Sequence, residues 1–225
     1  VEEGHRQPAS LDLRLGDPAY QVKASFLPGE AYTVGEQLRD LTAARLDLTR
    51  PQVLQKGCVY VVPLQERLSL PDSVSGRANP KSSTGRIDVF TRLITDHGTE
   101  FDRVREEYSG PLYAEVSPCS FSVRVREGSK LNQIRFRRLN SQQLKQTDFS
   151  LSDRELREWH DAKCKLVDGE AFVRNGLVLR VALAEEALGP VIGYRAQKHT
   201  DVIDVDRVGV CDVREFWEDR KSTRL

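Results

Sequence analysis

Four segments in the middle of the chain indicate the fold class: RIDVFTRLIT (86–95), PLYAEVSP (111–118), FSVRVREG (121–128) and NQIRFRRL (132–139). Each segment is rich in β-branched and aromatic residues or alternates apolar with polar ones, and short Gly, Pro or Ser breaks separate the segments. Both features are typical of β-strands. Many short strands in succession predict an antiparallel sandwich or a closed barrel.

The same pattern extends toward the N-terminus, where SLDLRLG (10–16), GCVYVVPL (57–64) and ERLSLP (66–71) read as further strands. YQVKASFL (20–27) alternates less regularly. Within 34–47 the leucines recur at helix-like spacing, which predicts one short helix. We therefore predict an all-β (mainly β) fold with a few short helices.

The region after residue 140 has a different character, because NSQQLKQTDFSLSD (140–153) is polar and reads as a linker. Its last residues can cap a short helix at about 153–161. Strand-like alternation returns in VLRVAL (178–183) and GYRAQKHTDVIDVDRVG (193–209). The predicted organisation is a β-domain with a phosphate loop at 1–140, a linker with a short helix at 141–165, and a partial second β-domain at 166–225.

Charge and hydropathy restrict the partners. Lys+Arg and Asp+Glu are equal at 34 each, so no field of one sign attracts nucleic acid or an anionic membrane. No stretch approaches the ~20 apolar residues that cross a bilayer, and the first residues lack the pattern of a secretion signal. We predict a cytoplasmic protein that binds neither nucleic acid nor membranes.

The cysteines and histidines do not form a metal motif. The four cysteines are far apart in sequence, with no C-x-x-C and no nearby His at metal-ligand spacing. Zinc nucleobase deaminases need H-x-E together with P-C-x-x-C, since the metal gathers its ligands in one compact site. Neither motif is present, so the sequence predicts no metal site and no catalytic zinc.

The densest polar signal is ANPKSSTGR (78–86), which lies between two strand-like runs. Ser82 and Ser83 supply hydroxyl donors, and Lys81 and Arg86 supply positive charge. Several converging donors and cations are what a phosphate chain requires. The loop is a candidate phosphate cradle, although an ordinary Ser/Gly turn with two solvated basic residues has the same composition.

Glu115 interrupts the apolar strand PLYAEVSP directly after the turn YSG (108–110). If Glu115 is half-buried, desolvation raises the pKa of a carboxyl group toward a value useful to a general base. If it lies on the wet face, it is an ordinary solvated residue, which is the commoner case for charged side chains. Alternation alone leaves both interpretations open.

Five ordered motifs carry a resemblance to a known family: QPASLDLRLG, ANPKSSTGRIDVFTRLITD, YSGPLYAEVSP, FSVRVREGSKLNQIRF and YRAQKHTDVIDVDRVG. Together they resemble the long bacterial form of dCTP deaminase, over essentially the whole chain. The resemblance implies a dUTPase-like fold, a distorted jelly-roll or β-barrel, followed by the start of a second similar β-domain. It also implies a homo-trimer or a pseudo-trimer of repeated domains, with active sites shared between neighbouring folds.

The resemblance implies site residues, position by position. Lys81 stands where the family's triphosphate loop has its first arginine, and Ser82 and Ser83 match the two serines of that loop. Arg86 matches the arginine that closes the loop, and Glu115 matches the catalytic glutamate. Lysine at 81 keeps the charge but loses the planar fork of arginine. The residues at 105–107 replace the Asp-Pro-Gly that precedes the family's aromatic residue, so contacts to the sugar differ.

The implied reaction is hydrolytic deamination of dCTP to dUTP and ammonia. Glu115 takes a proton from water and delivers it to ring N3, while Arg86 and Ser82 orient the water or stabilise the developing charge. Lys81, Ser82 and Ser83 hold the phosphates, with Mg²⁺ bound through the triphosphate.

Two alternatives stay open. TDVIDVDRVG (200–209) resembles the G-x-I-D-x-D-Y-x-G motif of dUTPases, in which Asp204 would activate water against the α-phosphate of dUTP. A strand with exposed acidic residues on one face explains the same pattern. The third possibility is a nucleotide-binding module without turnover, which would be the case if the working glutamate belonged to another copy of the fold.

Overall fold

A computed structural model describes residues 9–138, 151–162, 164–180 and 191–221. The chain forms two compact units. The first unit comprises Val1–Leu139 and Ala196–Trp217, and the second comprises Asn140–Arg195 and Glu218–Leu225. The predicted boundaries at 140 and 165 remain a prediction, and the return of Ala196–Trp217 to the first unit is a feature that the sequence pattern did not indicate.

The strands and helices are short. The strands are β1 Leu11–Arg14, β2 Ala19–Val22, β3 Thr42–Leu46, β4 Gln52–Leu54, β5 Val59–Ser69, β6 Val74–Pro80, β7 Val89–Thr95, β8 Arg103–Val104, β9 Ser109–Pro118, β10 Val123–Val125, β11 Lys130–Arg138, β12 Val191–Ala196, β13 Ile203–Asp204 and β14 Trp217–Lys221. The helices are α1 Val34–Leu41, α2 Ser82–Arg86, α3 Asp153–Ala162 and α4 Val213–Phe216.

The first unit is built from three sheets. Their strand orders are β3-β2-β5-β9-β7, β1-β11-β6-β8 and β13-β10-β4. Neighbouring strands pair antiparallel, except that β13 runs parallel to β10. Alternation buries Leu13, Leu93 and Ile134, each at most 1% exposed, together with the inward residues of the other sheets. The mainly β prediction is confirmed.

The predicted helix at 34–47 is correct in its first half and wrong in its second. The Thr33 hydroxyl accepts from the Glu36 N–H at 3.3 Å, and the Glu36 carboxylate accepts from the Thr33 N–H at 2.7 Å, which is a capping box. Residues Thr42–Leu46 form β3 instead, because they pair with β2 along the edge of the five-stranded sheet. Strand pairing across the fold outweighs the helical spacing of the leucines.

Two predicted strands at 57–64 and 66–71 merge into the single strand β5. The register against β9 shifts between Pro63 and Arg67, where Pro63 cannot donate to the ladder. The predicted strand at 20–27 is shorter than expected, since β2 ends at Val22. The predicted loop at 78–86 is the end of β6 followed by α2.

The second unit contains α3, which confirms the helix predicted at 153–161. The Ser152 hydroxyl accepts from the Glu155 N–H at 3.3 Å, so Ser152 caps this helix. The buried His160 ring accepts from the Leu166 N–H at 3.1 Å through Nδ1, and its Nε2 lies 3.0 Å from the Gly169 carbonyl oxygen. The described part of the predicted strand at 178–183 is not a strand, and its remainder lies outside the described residues.

The segment Ala196–Trp217 is anchored to the first unit by an aromatic cluster. Phe121 is fully buried and meets Phe216 edge-on at 5.4 Å and Trp217 edge-on at 5.1 Å between ring centroids. The N–H of Ile203 donates to the Ser122 carbonyl at 3.1 Å, which begins the parallel pairing of β13 with β10.

We expect Phe121→Ala to lower the free energy of unfolding by about 3–5 kcal/mol, because it removes the ring that both aromatic partners contact. Urea denaturation followed by tryptophan fluorescence measures this loss. Phe136→Ala is the matched control, since Phe136 is 43% exposed and should change stability by only about 0.5 kcal/mol or less. Equal urea midpoints for Phe121→Ala and the unmodified chain would contradict the anchoring role.

Candidate functional site

A cleft of about 430 Å³ surrounds the segment that was predicted to bind phosphate. Lys81, Ser82, Ser83 and Arg86 all line it, so the structure brings together the four residues predicted from the loop. Strands β1 and β11 complete the wall with Ser10, Asp12, Gln133 and Arg135.

Two hydrogen bonds to β11 position helix α2 so that Ser82 and Ser83 are exposed. The Lys81 N–H donates to the Leu131 carbonyl at 2.9 Å, and the Thr84 hydroxyl donates to the same carbonyl at 3.0 Å. Thr84 is buried, whereas Ser82 and Ser83 are exposed. Among the described residues neither serine hydroxyl has a hydrogen-bond partner, so both are available to a ligand.

Lys81 is engaged by a buried carboxylate. Its ammonium group forms an ion pair with Asp12 Oδ2, and the Asp12 residue is only 2% exposed. The other oxygen, Asp12 Oδ1, is buried without a hydrogen-bond partner in the described part of the chain. Because Asp12 offsets the charge of Lys81, the remaining positive charge of the cleft comes from Arg86 and Arg135.

Sequence reasoning missed both Asp12 and Arg135. In SLDLRLG the alternation places the leucines on the core face, which suggests that Asp12 faces water. In the structure Asp12 and Leu13 are both buried, since both faces of β1 are covered there. The only sequence signal near Arg135 was the predicted strand NQIRFRRL (132–139), which contains it. In the structure this strand is β11, which pairs with β6, and β6 leads into the loop.

Glu115 is buried in the five-stranded sheet rather than solvated. It lies in β9 opposite Val61 of β5 and Arg92 of β7, and it is 2% exposed. Arg92 donates to Glu115 Oε1 from Nε at 3.0 Å and from Nη2 at 2.5 Å. The second oxygen, Oε2, is buried and has no hydrogen-bond partner among the described residues.

Arg92 is itself fixed by its surroundings. Its guanidinium carbon lies 3.5 Å from the ring centroid of Phe101 and 4.9 Å from that of Phe90, which are cation–π distances. Nη2 also donates to the Ser25 hydroxyl at 2.8 Å. Sequence reasoning missed Arg92, because an arginine in RIDVFTRLIT is typical of an outward polar position of the strand.

A second carboxyl group lies in the same electrostatic neighbourhood. Burial raises the pKa of Asp102, and the negative charge of Glu115 adds to the rise, whereas a hydrogen bond from the Leu93 N–H and the charges of Arg92 and Arg77 oppose it. The Leu93 N–H donates to Asp102 Oδ1 at 2.7 Å.

The segment that departs from the family pattern leads into Tyr108. Burial raises the pKa of Tyr108 to about 12, and its hydroxyl donates to the Pro111 carbonyl at 2.5 Å. The Asp96 N–H donates to the same hydroxyl at 3.3 Å. Tyr108 therefore stays protonated at neutral pH and fixes the turn before β9.

The predicted site residues fall into two groups within the first unit. Lys81, Ser82, Ser83 and Arg86 line one cleft, but Glu115 is not among the described residues that line it. Glu115 belongs to the five-stranded sheet, while the cleft is framed by β1 and β11 of the four-stranded sheet. One chain thus presents a basic cleft and a buried carboxylate as separate features.

Asp204, the residue expected to activate water in a dUTPase, is tied to an arginine. Arg126 Nη2 donates to Asp204 Oδ2 at 2.5 Å, and Arg126 Nε lies 3.3 Å from Asp206 Oδ2. The Ser129 hydroxyl donates to Asp206 at 2.6 Å. These contacts support a structural role for Asp204 of β13 and for Asp206 just after it.

The described residues contain neither a candidate metal site nor a helix that could span a membrane. Within 9–138, 151–162, 164–180 and 191–221, no group of three or more His, Cys, Asp or Glu side chains could hold a metal ion. No helix within these ranges is both long enough and apolar enough to span a bilayer.

Comparisons with known proteins match most of the chain. Residues 1–140 match the family model for the 2'-deoxycytidine 5'-triphosphate deaminase N-terminal domain, and residues 152–224 match that for its C-terminal domain. The crystal structure of a 2'-deoxycytidine 5'-triphosphate deaminase from Agrobacterium tumefaciens superposes with a TM-score of 0.82 at 44% identity. The match covers 99% of this chain and 64% of the Agrobacterium chain, so this chain spans less than two thirds of that protein.

Curated relatives match a shorter part. A dUMP-forming dCTP deaminase from a Parafrankia species is 31% identical over 143 residues, covering 62% of this chain and 67% of the relative. A dCTP deaminase from Halorubrum lacusprofundi is 26% identical over 140 residues, covering 60% of this chain and 64% of the relative. Because the N-terminal family model alone accounts for residues 1–140, the chain belongs to the 2'-deoxycytidine 5'-triphosphate deaminase family.

Proposed function

We propose that this chain takes part in the hydrolytic deamination of dCTP to dUTP and ammonia, with Glu115 as general base. The observation that carries the proposal is the state of Glu115, a buried carboxylate with one oxygen held by Arg92 and the other without a partner. A buried polar atom without a partner is rare in folded proteins, and a reacting water molecule is a suitable partner for it. Membership of the deaminase family supports the same assignment.

The chemistry requires one group to move two protons in turn. Glu115 Oε2 removes a proton from water as the oxygen attacks C4 of the cytosine ring, and the carboxyl group then delivers that proton to N3. Glu115 next takes the proton of the new C4 hydroxyl and delivers it to N4, so the C4–N4 bond breaks with loss of ammonia and a uracil carbonyl remains at C4. Arg86 carries a positive charge and Ser82 carries a hydroxyl donor. Both suit orientation of the water or stabilisation of the developing charge.

The substrate enters as the magnesium complex of the nucleotide. Lys81, Ser82, Ser83 and Arg86 supply cations and donors for the phosphate oxygens, and Gln133 and Arg135 extend that surface. Mg²⁺ favours phosphate oxygens and water over an all-protein cage, so we propose that it binds through the triphosphate and that the chemistry uses no zinc.

We also propose that the complete site forms between copies of the fold, with the cleft from one copy and Glu115 from another, in a trimer or a pseudo-trimer. The separation of Glu115 from the residues that line the cleft supports this arrangement. A monomer that turns over dCTP, established by light scattering at assay concentration, would overturn it.

Glu115→Gln should abolish deamination while dCTP still binds, since glutamine fills the same volume but cannot accept a proton. The expected loss of kcat is about 10²–10⁴-fold, the range for general acid–base catalysis. Ammonia release and separation of the nucleotide products by chromatography measure it and distinguish dUTP from dUMP. Glu100→Gln is the matched control, because Glu100 forms only an exposed pair with Arg103.

Retention of turnover in Glu115→Gln would show that another residue is the base. Binding of dCTP without ammonia release by the unmodified chain would favour the nucleotide-binding module. Release of pyrophosphate from dUTP would instead favour the dUTPase alternative, in which Asp204 activates the water.

Lys81→Gln and Arg86→Gln should separate folding from nucleotide binding. Lys81→Gln leaves the buried Asp12 without its cation, so we expect a loss of about 1–3 kcal/mol in the free energy of unfolding. Arg86→Gln should leave unfolding unchanged, because Arg86 is exposed and has no side-chain partner among the described residues. It should weaken binding of Mg·dCTP by about 1.5–3 kcal/mol, the value of a hydrogen bond to a charged group.

Urea denaturation measures the stability of both variants, and calorimetric titration in the Glu115→Gln background measures affinity without consuming the nucleotide. Unchanged affinity in Arg86→Gln would show that the cleft does not bind the triphosphate.

A further inference from the structure

We infer that Arg92 is a positioning residue for the deamination, which holds Oε1 of Glu115 and leaves Oε2 as the oxygen that accepts the proton from water. The inference rests on the proposed function, since it concerns the same glutamate. It adds a residue that does not line the phosphate cleft.

The hydrogen bonds to Glu115 are distributed unevenly over its two carboxylate oxygens. Both Arg92 donors, Nε at 3.0 Å and Nη2 at 2.5 Å, point at Oε1. Oε2 receives none within the described part of the chain, although it is buried. A guanidinium that paired with both oxygens would occupy the whole carboxylate, whereas this arrangement occupies one oxygen and leaves the lone pairs of the other without a partner.

The guanidinium of Arg92 is held in its position beside Glu115 by three further contacts. Phe101 lies against the guanidinium at 3.5 Å and Phe90 at 4.9 Å, while the Ser25 hydroxyl accepts from Nη2 at 2.8 Å. A planar, permanently charged group suits this stacked position, and a lysine would lose both the stacking and the two-donor contact. The aromatic contacts therefore fix the direction in which Glu115 points.

Arg92 is also the cation that pairs with Glu115 inside the sheet, where the Glu115 side chain is 3% exposed. Removing one member of a buried ion pair leaves the other as an uncompensated buried charge. Loss of Arg92 should therefore displace the Glu115 carboxylate from its present position.

The test compares Arg92→Gln and Arg92→Lys with the unmodified full chain in steady-state dCTP deamination. Arg92→Gln should lower kcat by about 10²-fold, the size of effect that a misplacement of about 1 Å produces, and should change KM for Mg·dCTP little. Arg92→Lys keeps the charge but loses the fork and the stacking, so its kcat should also fall while KM for Mg·dCTP changes little.

Arg103→Gln is the matched control, since the only ion pair of Arg103 among the described residues is the exposed one with Glu100, and this change should leave kcat and KM unchanged. Circular dichroism and thermal unfolding verify that each variant is folded. If Arg92→Gln does not fold, Phe101→Leu replaces it, because this change keeps the ion pair and removes the stacking, and it should lower kcat without moving KM.

The outcomes separate the two proposals. An unchanged kcat in a folded Arg92→Gln, combined with an inactive Glu115→Gln, would overturn the role of Arg92 alone. Turnover that survives in Glu115→Gln, or an unmodified chain that releases no ammonia, would overturn the proposed function and this inference together. A loss of kcat with little change of KM in a folded Arg92→Gln supports both.

Discussion

The ion pair between Glu115 and Arg92 is the contact on which the proposed chemistry depends. A carboxylate in the middle of a β-sheet is far from water, and it stays charged there only if a cation neutralises it. The sheet satisfies that requirement by placing the two residues opposite each other on β9 and β7. Asp12 and Lys81 repeat the solution in the four-stranded sheet, and in both pairs one carboxylate oxygen has no partner among the described residues.

The two pairs differ in how firmly the cation is held. Arg92 presents two donors in a fixed plane and is stacked on Phe101, so the direction of Glu115 is set by the fold. Lys81 presents one ammonium group on a flexible stem, and its side chain is 25% exposed beside the cleft. An ammonium group of this kind can exchange one anionic partner for another with little rearrangement. The arginine pair suits a group that must keep its orientation, and the lysine pair suits a surface that receives a charged ligand.

Sequence reasoning identified the strands and the loop because their signals are local. Alternation and β-branched residues mark β7, β9 and β11, and the concentration of serine and basic residues marks the loop that becomes α2. The burial of Asp12 and Glu115 and the role of Arg92 were not predictable in this way. Each depends on which strand lies next to which, and a strand of alternating residues has the same pattern whether one face or both faces are covered. The helix prediction was wrong in the second half of 34–47 for the same reason, since β3 forms through its pairing with β2.

The distribution of carboxylates also bears on the product. Hydrolysis at the α-phosphate needs a carboxylate that is free to activate a second water molecule near the phosphates. Asp204 is not free in this sense, because Arg126 binds it and its side chain is only 11% exposed. Among the described residues that line the cleft, Asp12 is the one carboxylate, and Lys81 already holds one of its oxygens. The proposed deamination makes a smaller demand, since Glu115 alone would carry the protons. The ion pairs of Asp204 and Asp12 therefore support the proposed product, dUTP, and they do so independently of any property of the cytosine site.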